Sequence, residues 1–193
     1  MMRKFGMAVI LSLLVASPGL AAVTQQTLYR PFIVHGKTAK AIYQSVIRRS
    51  TKKDGFSTYA STDVTLKPSL KARTHPVCEI SSANIAARFV IHLPSLPNSK
   101  TLPSGLRRDW LDFTAQLKRH EEHHREIWLG CAAELEEAIR DIPPGDCKDF
   151  VRQMNARATA AKKSCDRKNA AFDDEARLML PTIPFIQRAL MQR

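Results

Sequence analysis

The chain has 193 residues, of which 44% are hydrophobic, and a formal net charge of +12. This length suits one domain with a sizeable core. No apolar run reaches the roughly 18 residues that a membrane-spanning helix needs. The positive charge is spread along the chain without the interleaved aromatic residues of a nucleic-acid interface, so we expect no nucleic-acid partner. A basic surface facing anionic components of the cell envelope is the simpler interpretation.

The N-terminus has the pattern of a secretory signal peptide. A basic Arg-Lys pair precedes a short apolar run over residues 8–16, and a Pro-Gly pair ends that run. Cleavage after Ala21 would place the small Gly19 at the −3 position. We therefore expect residues 1–21 to be removed and residues 22–193 to form one exported domain, periplasmic if the source is a Gram-negative bacterium. An uncleaved N-terminal anchor is the alternative.

The segment from residue 27 to about residue 97 is predicted to form mainly strands and turns. It is rich in threonine, valine, isoleucine and aromatic residues, and near its end apolar side chains alternate with polar ones. In chain order the pattern predicts a strand over residues 28–34, a helix over 38–49, a turn at Asp54-Gly55, and strands over 56–66, 78–80 and 87–93.

Two long helices are predicted for the second half. Ser104 is the expected N-cap of the first, which runs to about Arg140, where the Pro143-Pro144-Gly145 segment stops it. Asp146 should cap the second helix, which Pro181 and Pro184 end, leaving a short basic C-terminal segment. Because the connector is short, the helices should form an antiparallel hairpin packed on the sheet. Strands first and helices second predict an α+β fold, with a small N-terminal antiparallel sheet packed against the hairpin.

The feature most informative about function is the segment from His120 to His124, which reads H-E-x-x-H. On a helix, its first and last histidines lie one turn apart on one face, where two neutral imidazoles can bind the same Zn²⁺. Glu121 lies about 100° around the helix, close enough to take a proton from an attacking water. Both histidines also fall on the apolar stripe of the helix, where a buried imidazole needs a partner. The pattern therefore favours zinc over a pair of hydrogen-bonded core histidines.

The four cysteines are typical of an oxidising compartment and include no C-x-x-C pair. If the second helix carries both Cys147 and Cys165, these residues lie about 27 Å apart, too far to bond. Cys78 lies on a different element and should take part in any first disulfide. We favour the pairing Cys78–Cys147.

Several stretches of the mature chain together form a pattern found in one known family. They are Tyr29, Val34-His35-Gly36, residues 58–67, Cys78-Glu79-Ile80, residues 93–94, Trp110, the H-E-x-x-H segment and Cys147. In these stretches the chain resembles the predicted secreted zinc-dependent proteases that contain the domain of unknown function 922. The resemblance implies a zincin-like metallopeptidase fold. The chain departs from the family pattern in having Phe172-Asp173 for a Tyr-Asp pair, His123 for a glycine, and no Thr-x-His-Gly segment.

A catalytic zinc site takes three protein ligands and one water, so a third ligand must join His120 and His124. In a hairpin that turns near residues 143–144, residue 122 lies level with about residue 165, which favours Asp166 and puts Asp173 about 10 Å further along. The resemblance favours Asp173. We take Asp173 as the third ligand, with Asp166 as the alternative and Glu175 as a more distant one.

Two other histidines carry weaker expectations. His123 lies about 60° from His120 around the helix and is expected to be partly exposed, with substrate binding or orientation of a neighbour as the alternative. His92 ends a predicted strand, and a structural role is favoured over substrate binding there.

Together these features predict an exported zinc metallopeptidase that acts on peptides or proteins of the cell envelope. His120, His124 and Asp173 would hold Zn²⁺, and Glu121 would be the general base. The competing hypothesis is a non-catalytic envelope binding or structural protein, either braced by zinc or free of metal. A closed fourth coordination position would favour that second hypothesis.

Overall fold

The computed structural model describes residues 23–50, 52–53 and 56–191, and the side chains of residues 52, 53, 56 and 57 are not considered. The expected signal peptide and the Asp54-Gly55 turn lie outside the described residues. The strands are β1 (Thr24–Ile33), β2 (Lys52–Lys53), β3 (Phe56–Ser57), β4 (Ser61–Arg73) and β5 (Glu79–Ser95), and the helices are α1 (Ala39–Arg49), α2 (Ser104–Arg140), α3 (Cys147–Met179) and α4 (Pro184–Met191).

The predicted α+β class is confirmed. The sheet was expected to be antiparallel, but it is mixed: β5 lies at its centre, with β4 antiparallel on one side and β1 parallel on the other. β1 can run parallel to β5 because the two strands are joined by a long connection that includes α1 rather than by a hairpin turn. Alternate residues of β5 are buried on the face that α2 covers, whereas the residues between them are more exposed. This period of two is the pattern expected of a strand with one face in the core. The buried residues are Ala83, Ile85, Ala87, Phe89 and Ile91.

Two strand predictions were wrong. The predicted strands over 78–80 and 87–93 form one continuous strand, β5, because its long pairing with β4 extends through the intervening residues, which contain no glycine or proline. The predicted strand over 56–66 is instead interrupted before β4 begins at Ser61. Tyr59 lies in that interruption and packs against Tyr43 and Phe113, so the chain bends to place this ring against the core.

The main core lies between α1, the first half of α2, and α4. Trp110 and Phe113 of α2 contact the Phe185 ring, with centroids 5.2 and 4.9 Å apart respectively. The sequence did not predict α4. Pro184 was interpreted as a terminator, but it is the first residue of α4, a position where proline's fixed φ is favourable.

The predicted helical hairpin is formed by α2 and α3. Asp146 caps α3 as expected, since its carboxylate accepts hydrogen bonds from the amides of Lys148 (2.9 Å) and Asp149 (3.1 Å). Ser104 is not an N-cap, because it is already the first residue of α2 and Pro103 precedes it.

Two disulfides join the elements. The predicted Cys78–Cys147 disulfide is confirmed, and it ties the start of β5 to the start of α3. The second disulfide, Cys131–Cys165, links α2 to α3 and was not predicted from the sequence.

The turn between β1 and α1 depends on Gly36, whose φ is +149°, and a Cβ there would lie 2.6 Å from the backbone nitrogen of Ile42. We predict that Gly36→Ala lowers the free energy of unfolding by about 1 to 3 kcal/mol through backbone strain and this clash. Gly130→Ala is the matched control, because nothing lies within 4 Å of its added Cβ. As a helix-interior change, it should stabilise by up to about 1 kcal/mol. Urea denaturation of both variants measures the difference, and equal effects would contradict the prediction.

Candidate metal centre

The α2–α3 hairpin brings the two terminal histidines of the H-E-x-x-H segment together with Asp173. The Nε2 atoms of His120 and His124 lie 3.1 Å apart. Asp173 Oδ1 lies 3.3 Å from the first and 3.0 Å from the second. In the part of the chain that the structure describes, this is the group of three potential metal ligands whose donor atoms converge, all within 4.8 Å of one another.

These separations fit the donor set of a tetrahedral zinc site. With zinc–ligand bonds of about 2.0 to 2.1 Å, tetrahedral geometry places any two ligand atoms roughly 3.3 Å apart. The three measured separations, 3.0 to 3.3 Å, lie close to that value. Two imidazole nitrogens and one carboxylate oxygen also match the donor types of catalytic zinc sites, which keep a fourth position for water. The residues present therefore fit a zinc ion.

Local structure explains why these side chains meet. His120 and His124 are one turn apart on α2, so their rings project from the same face towards α3. Both side chains are mainly buried, with 24% and 12% of their surface exposed. Asp173 is on the facing side of α3 and is 26% exposed, so solvent still reaches the group.

Phe172, the residue before Asp173, packs against the histidine rings. Its ring stacks on His120, with centroids 4.6 Å apart, and meets the His124 ring edge-on at 5.1 Å. The ring of His123 lies 4.4 Å away. Phe172 thus holds the imidazole rings in place beside Asp173.

Asn169 is a further member of the site that sequence reasoning missed. It is buried, and its Oδ1 lies 2.7 Å from His124 Nδ1. The available signal was its spacing, since it precedes Asp173 by four residues and so lies one helical turn away on the same face of α3.

Glu121 points towards the sheet beside the histidine pair. It is only 4% exposed, and its Oε2 accepts a hydrogen bond of 2.8 Å from the Thr62 hydroxyl. Burial raises the pKa of Glu121, and the nearby carboxylate of Asp173 adds to this; the Thr62 hydrogen bond and the two histidines act in the opposite direction. A carboxylate with a raised pKa is better matched to proton transfer near neutral pH.

The second glutamate of the motif faces a different neighbour. Glu122 Oε1 accepts a hydrogen bond of 2.6 Å from the hydroxyl of Tyr29 on β1. This bond is the main cause of a raised pKa of Tyr29. The Glu122 carboxylate therefore binds Tyr29 at the edge of the sheet.

Asp166 lies away from the histidines, so the register argument that favoured it was wrong. Its carboxylate is 2.7 Å from Lys162 Nζ on its own helix. The two helices do not end level at the turn, as a symmetric hairpin would require, because Arg157 of α3 donates a hydrogen bond to the carbonyl of Ala138 near the end of α2. The first two turns of α3 therefore extend beyond the end of α2.

The connector explains this offset. Gly145 exchanges two backbone hydrogen bonds with Cys78, and Ile142 packs with Cys78 and Phe150 in a small separate core. These contacts hold the connector away from the end of α2. As a result, α3 begins about two turns beyond the point at which α2 ends.

The other candidate residues lie outside the convergent group. Glu175 is exposed on α3. His123 is 51% exposed, as expected, and lies 3.3 Å from Glu126. His92 lies 3.1 Å from Asp63, and in β5 it is on the face opposite the residues that pack under α2.

An apolar cavity of about 310 Å³ lies between β4 and the α2–α3 hairpin, and none of the residues of the candidate centre lines it. Trp128, one turn beyond His124 on α2, and Lys162 of α3 form part of its wall. The remaining lining residues are Val64, Leu66, Cys131, Leu135, Ala158, Ala161 and Cys165.

Most of the chain matches one family of bacterial proteins. Residues 29–178 match the sequence model of DUF922, a bacterial family of unknown function. The chain belongs to this family. The matched segment contains all the residues of the candidate metal centre. No curated protein and no solved structure matches the chain.

The pKa of His124 leads to a prediction about the metal-free protein. Burial acts to lower this pKa, but hydrogen bonds with Asp173 and Asn169 and the charges of Asp173 and Glu121 outweigh it, so the pKa is raised. Protonated His124 thus stabilises the folded state fully below the unfolded pKa of about 6.5, and this contribution is lost as pH rises through the folded value.

In chelator-treated protein, the excess in Tm of the parent over His124→Gln should therefore be largest below about pH 6 and should shrink as pH rises. Added zinc should reverse the trend, because zinc binds the deprotonated donors and stabilises the parent more at higher pH. Thermal unfolding of both proteins across this range, with and without zinc, is the measurement. A Tm difference that grows with pH in the metal-free proteins would contradict the prediction.

Proposed function

We propose that the protein is an exported zinc metallopeptidase. The observation that carries the proposal is the convergence of three donor atoms, His120 Nε2, His124 Nε2 and Asp173 Oδ1. They lie 3.0 to 3.3 Å from one another, close to the separation of two ligand atoms in a tetrahedral zinc site. Glu121 beside this group supplies a buried carboxylate with a raised pKa. Three donors of this type with an adjacent base are the parts that metal-assisted hydrolysis of a peptide bond requires.

Each residue of the site would have a separate role in the proposed hydrolysis. His120, His124 and Asp173 would hold the zinc ion, which supplies Lewis-acid polarisation of the peptide carbonyl and a lowered pKa of the attacking water. Glu121 would take the proton of that water and then deliver it to the leaving amine. Thr62 would hold Glu121 in place through its hydrogen bond to Oε2.

The location proposed for this activity is the cell envelope. Two disulfides join the described elements, and disulfides of this kind are typical of oxidising, extracytoplasmic compartments. Among the described residues, no helix is long and apolar enough to cross a membrane. Together with the signal-peptide pattern at residues 1–21, these features support export and a peptide or protein substrate in the envelope.

A second candidate function is structural zinc binding in an envelope protein. The observation that favours it is the hydrogen bond that the Thr62 hydroxyl donates to the Glu121 carboxylate, which turns this carboxylate towards the sheet. In that case zinc would brace α2 against α3 and a further ligand or protein group would close the fourth position. Zinc bound at one equivalent, with no cleavage of any member of a broad peptide library, would support this function and contradict the peptidase.

Glu121→Gln tests the proposed general base. The amide keeps the size of the side chain but cannot accept the proton, so hydrolysis should fall by about 10² to 10⁴-fold while zinc stoichiometry stays at the parent value. Glu122→Gln is the matched control, because its side chain contacts Tyr29 at the sheet edge. Peptidase activity and bound zinc should be measured for both variants. Full activity in Glu121→Gln would rule out the assigned base.

Asp173→Ala tests the third ligand. Removal of a direct ligand should weaken zinc binding by more than about 100-fold, since loss of an outer hydrogen-bond partner alone costs 10 to 100-fold. Asp166→Ala is the control, because that carboxylate pairs with Lys162 on the same helix. Zinc affinity is measured by competition with a chromogenic chelator. Retention of parent affinity by Asp173→Ala would contradict the proposed ligand set.

A further inference from the structure

Asn169 makes two hydrogen bonds that together define the orientation of its amide group. Its Nδ2 donates to the carbonyl of Cys165, one turn earlier on α3, at 2.9 Å. Because only the NH₂ group can donate to a carbonyl, Oδ1 is the atom that faces His124 Nδ1, 2.7 Å away. Asn169 is 8% exposed, so water has little access to replace this contact.

We propose that Asn169 is a positioning residue that holds neutral His124 in the tautomer with its proton on Nδ1. The amide oxygen has no proton to give, so Nδ1 must be the donor in the 2.7 Å contact. A neutral imidazole carries a single N–H, and its Nε2 is then left with a lone pair. Nε2 lies 3.1 Å from His120 Nε2 and 3.0 Å from Asp173 Oδ1, so its lone pair is on the side of the ring where the proposed metal ion would lie between the three donor atoms.

The neighbouring disulfide supports this role. Cys165, whose carbonyl receives the Asn169 amide, is bonded through its sulfur to Cys131 on α2. Cys131 lies two turns beyond His124 on the same helix. A slide of α3 along α2 would therefore strain this covalent link, and Asn169 stays level with His124. The tautomer of His124 is thus determined by a contact whose position along the hairpin is fixed by a covalent bond.

The neutral amide of Asn169 also suits this role better than the negative carboxylate of an aspartate would. Asp173 already contributes one negative charge to the group, and the neutral amide orients His124 without adding a second. A carboxylate at position 169 would instead stabilise the doubly protonated imidazolium, which has no lone pair for a metal ion. This inference rests on the proposed metal site but not on hydrolysis of any substrate.

The tautomer can be measured directly in metal-free protein by ¹⁵N NMR of the imidazole nitrogens, at a pH where the ring is neutral. In the parent chain, His124 should carry its proton on Nδ1. Asn169→Ala should move the population towards the Nε2–H form and should weaken zinc binding by about 10 to 100-fold. Asn169→Asp restores an acceptor oxygen and should recover the Nδ1–H form. Asn155→Ala, an exposed asparagine of the same helix, is the control and should change neither quantity.

The parent measurement tests the proposal even if Asn169→Ala does not fold. A parent His124 with its proton on Nε2 would overturn it, as would an Asn169→Ala protein with an unchanged tautomer and unchanged zinc affinity. A parent protein that binds zinc without peptidase activity, but whose tautomer and affinity respond to Asn169→Ala, would support this inference while the proposed peptidase function fails.

Discussion

The candidate centre depends on one packing relation, the register of α3 against α2. Each helix contributes residues one turn apart, His120 and His124 from α2, and Asn169 and Asp173 from α3. A slip of one turn, about 5.4 Å, would put an amide where the carboxylate lies. The Cys131–Cys165 disulfide joins the two helices two turns from His124. The hydrogen bond that Arg157 of α3 donates to the Ala138 carbonyl of α2 is consistent with the same register of α3 against α2. The convergence of three donor atoms follows from this register.

The helix α2 makes three separate sets of contacts from three of its faces, because successive residues point about 100° apart. His120 and His124 face α3, Glu121 faces Thr62 of β4, and Glu122 faces Tyr29 of β1. The sheet on one side and α3 on the other therefore determine what each residue of the H-E-x-x-H segment contacts. Burial of Glu121 beside β4 costs solvation of its charge, and a cost of this kind is more often found at functional sites than in ordinary cores.

The family to which the chain belongs has no established function, so the chemistry of the site itself carries the functional argument. A pair of buried histidines alone would be compatible with simple hydrogen bonding in the core. Here Nδ1 of His124 is hydrogen-bonded to the amide oxygen of Asn169. Its Nε2 lies within 3.1 Å of both the His120 Nε2 atom and the Asp173 carboxylate oxygen. Several acceptors around one point need a cation between them, either a proton or a metal ion. This requirement makes the centre testable before any substrate is known.

The sequence by itself determined the local features. The H-E-x-x-H spacing, the Asp146 cap and the approximate ends of α2 follow from contacts within a few residues, and the period of β5 shows which of its faces is buried. Only the tertiary structure decided that Asp173 rather than Asp166 meets the histidines, and that Asn169 joins them. Those contacts depend on how far the connector carries α3 past α2, which is set by the pairing of Gly145 with distant Cys78. The offset comes from contacts between residues remote in sequence, which helix periodicity does not encode.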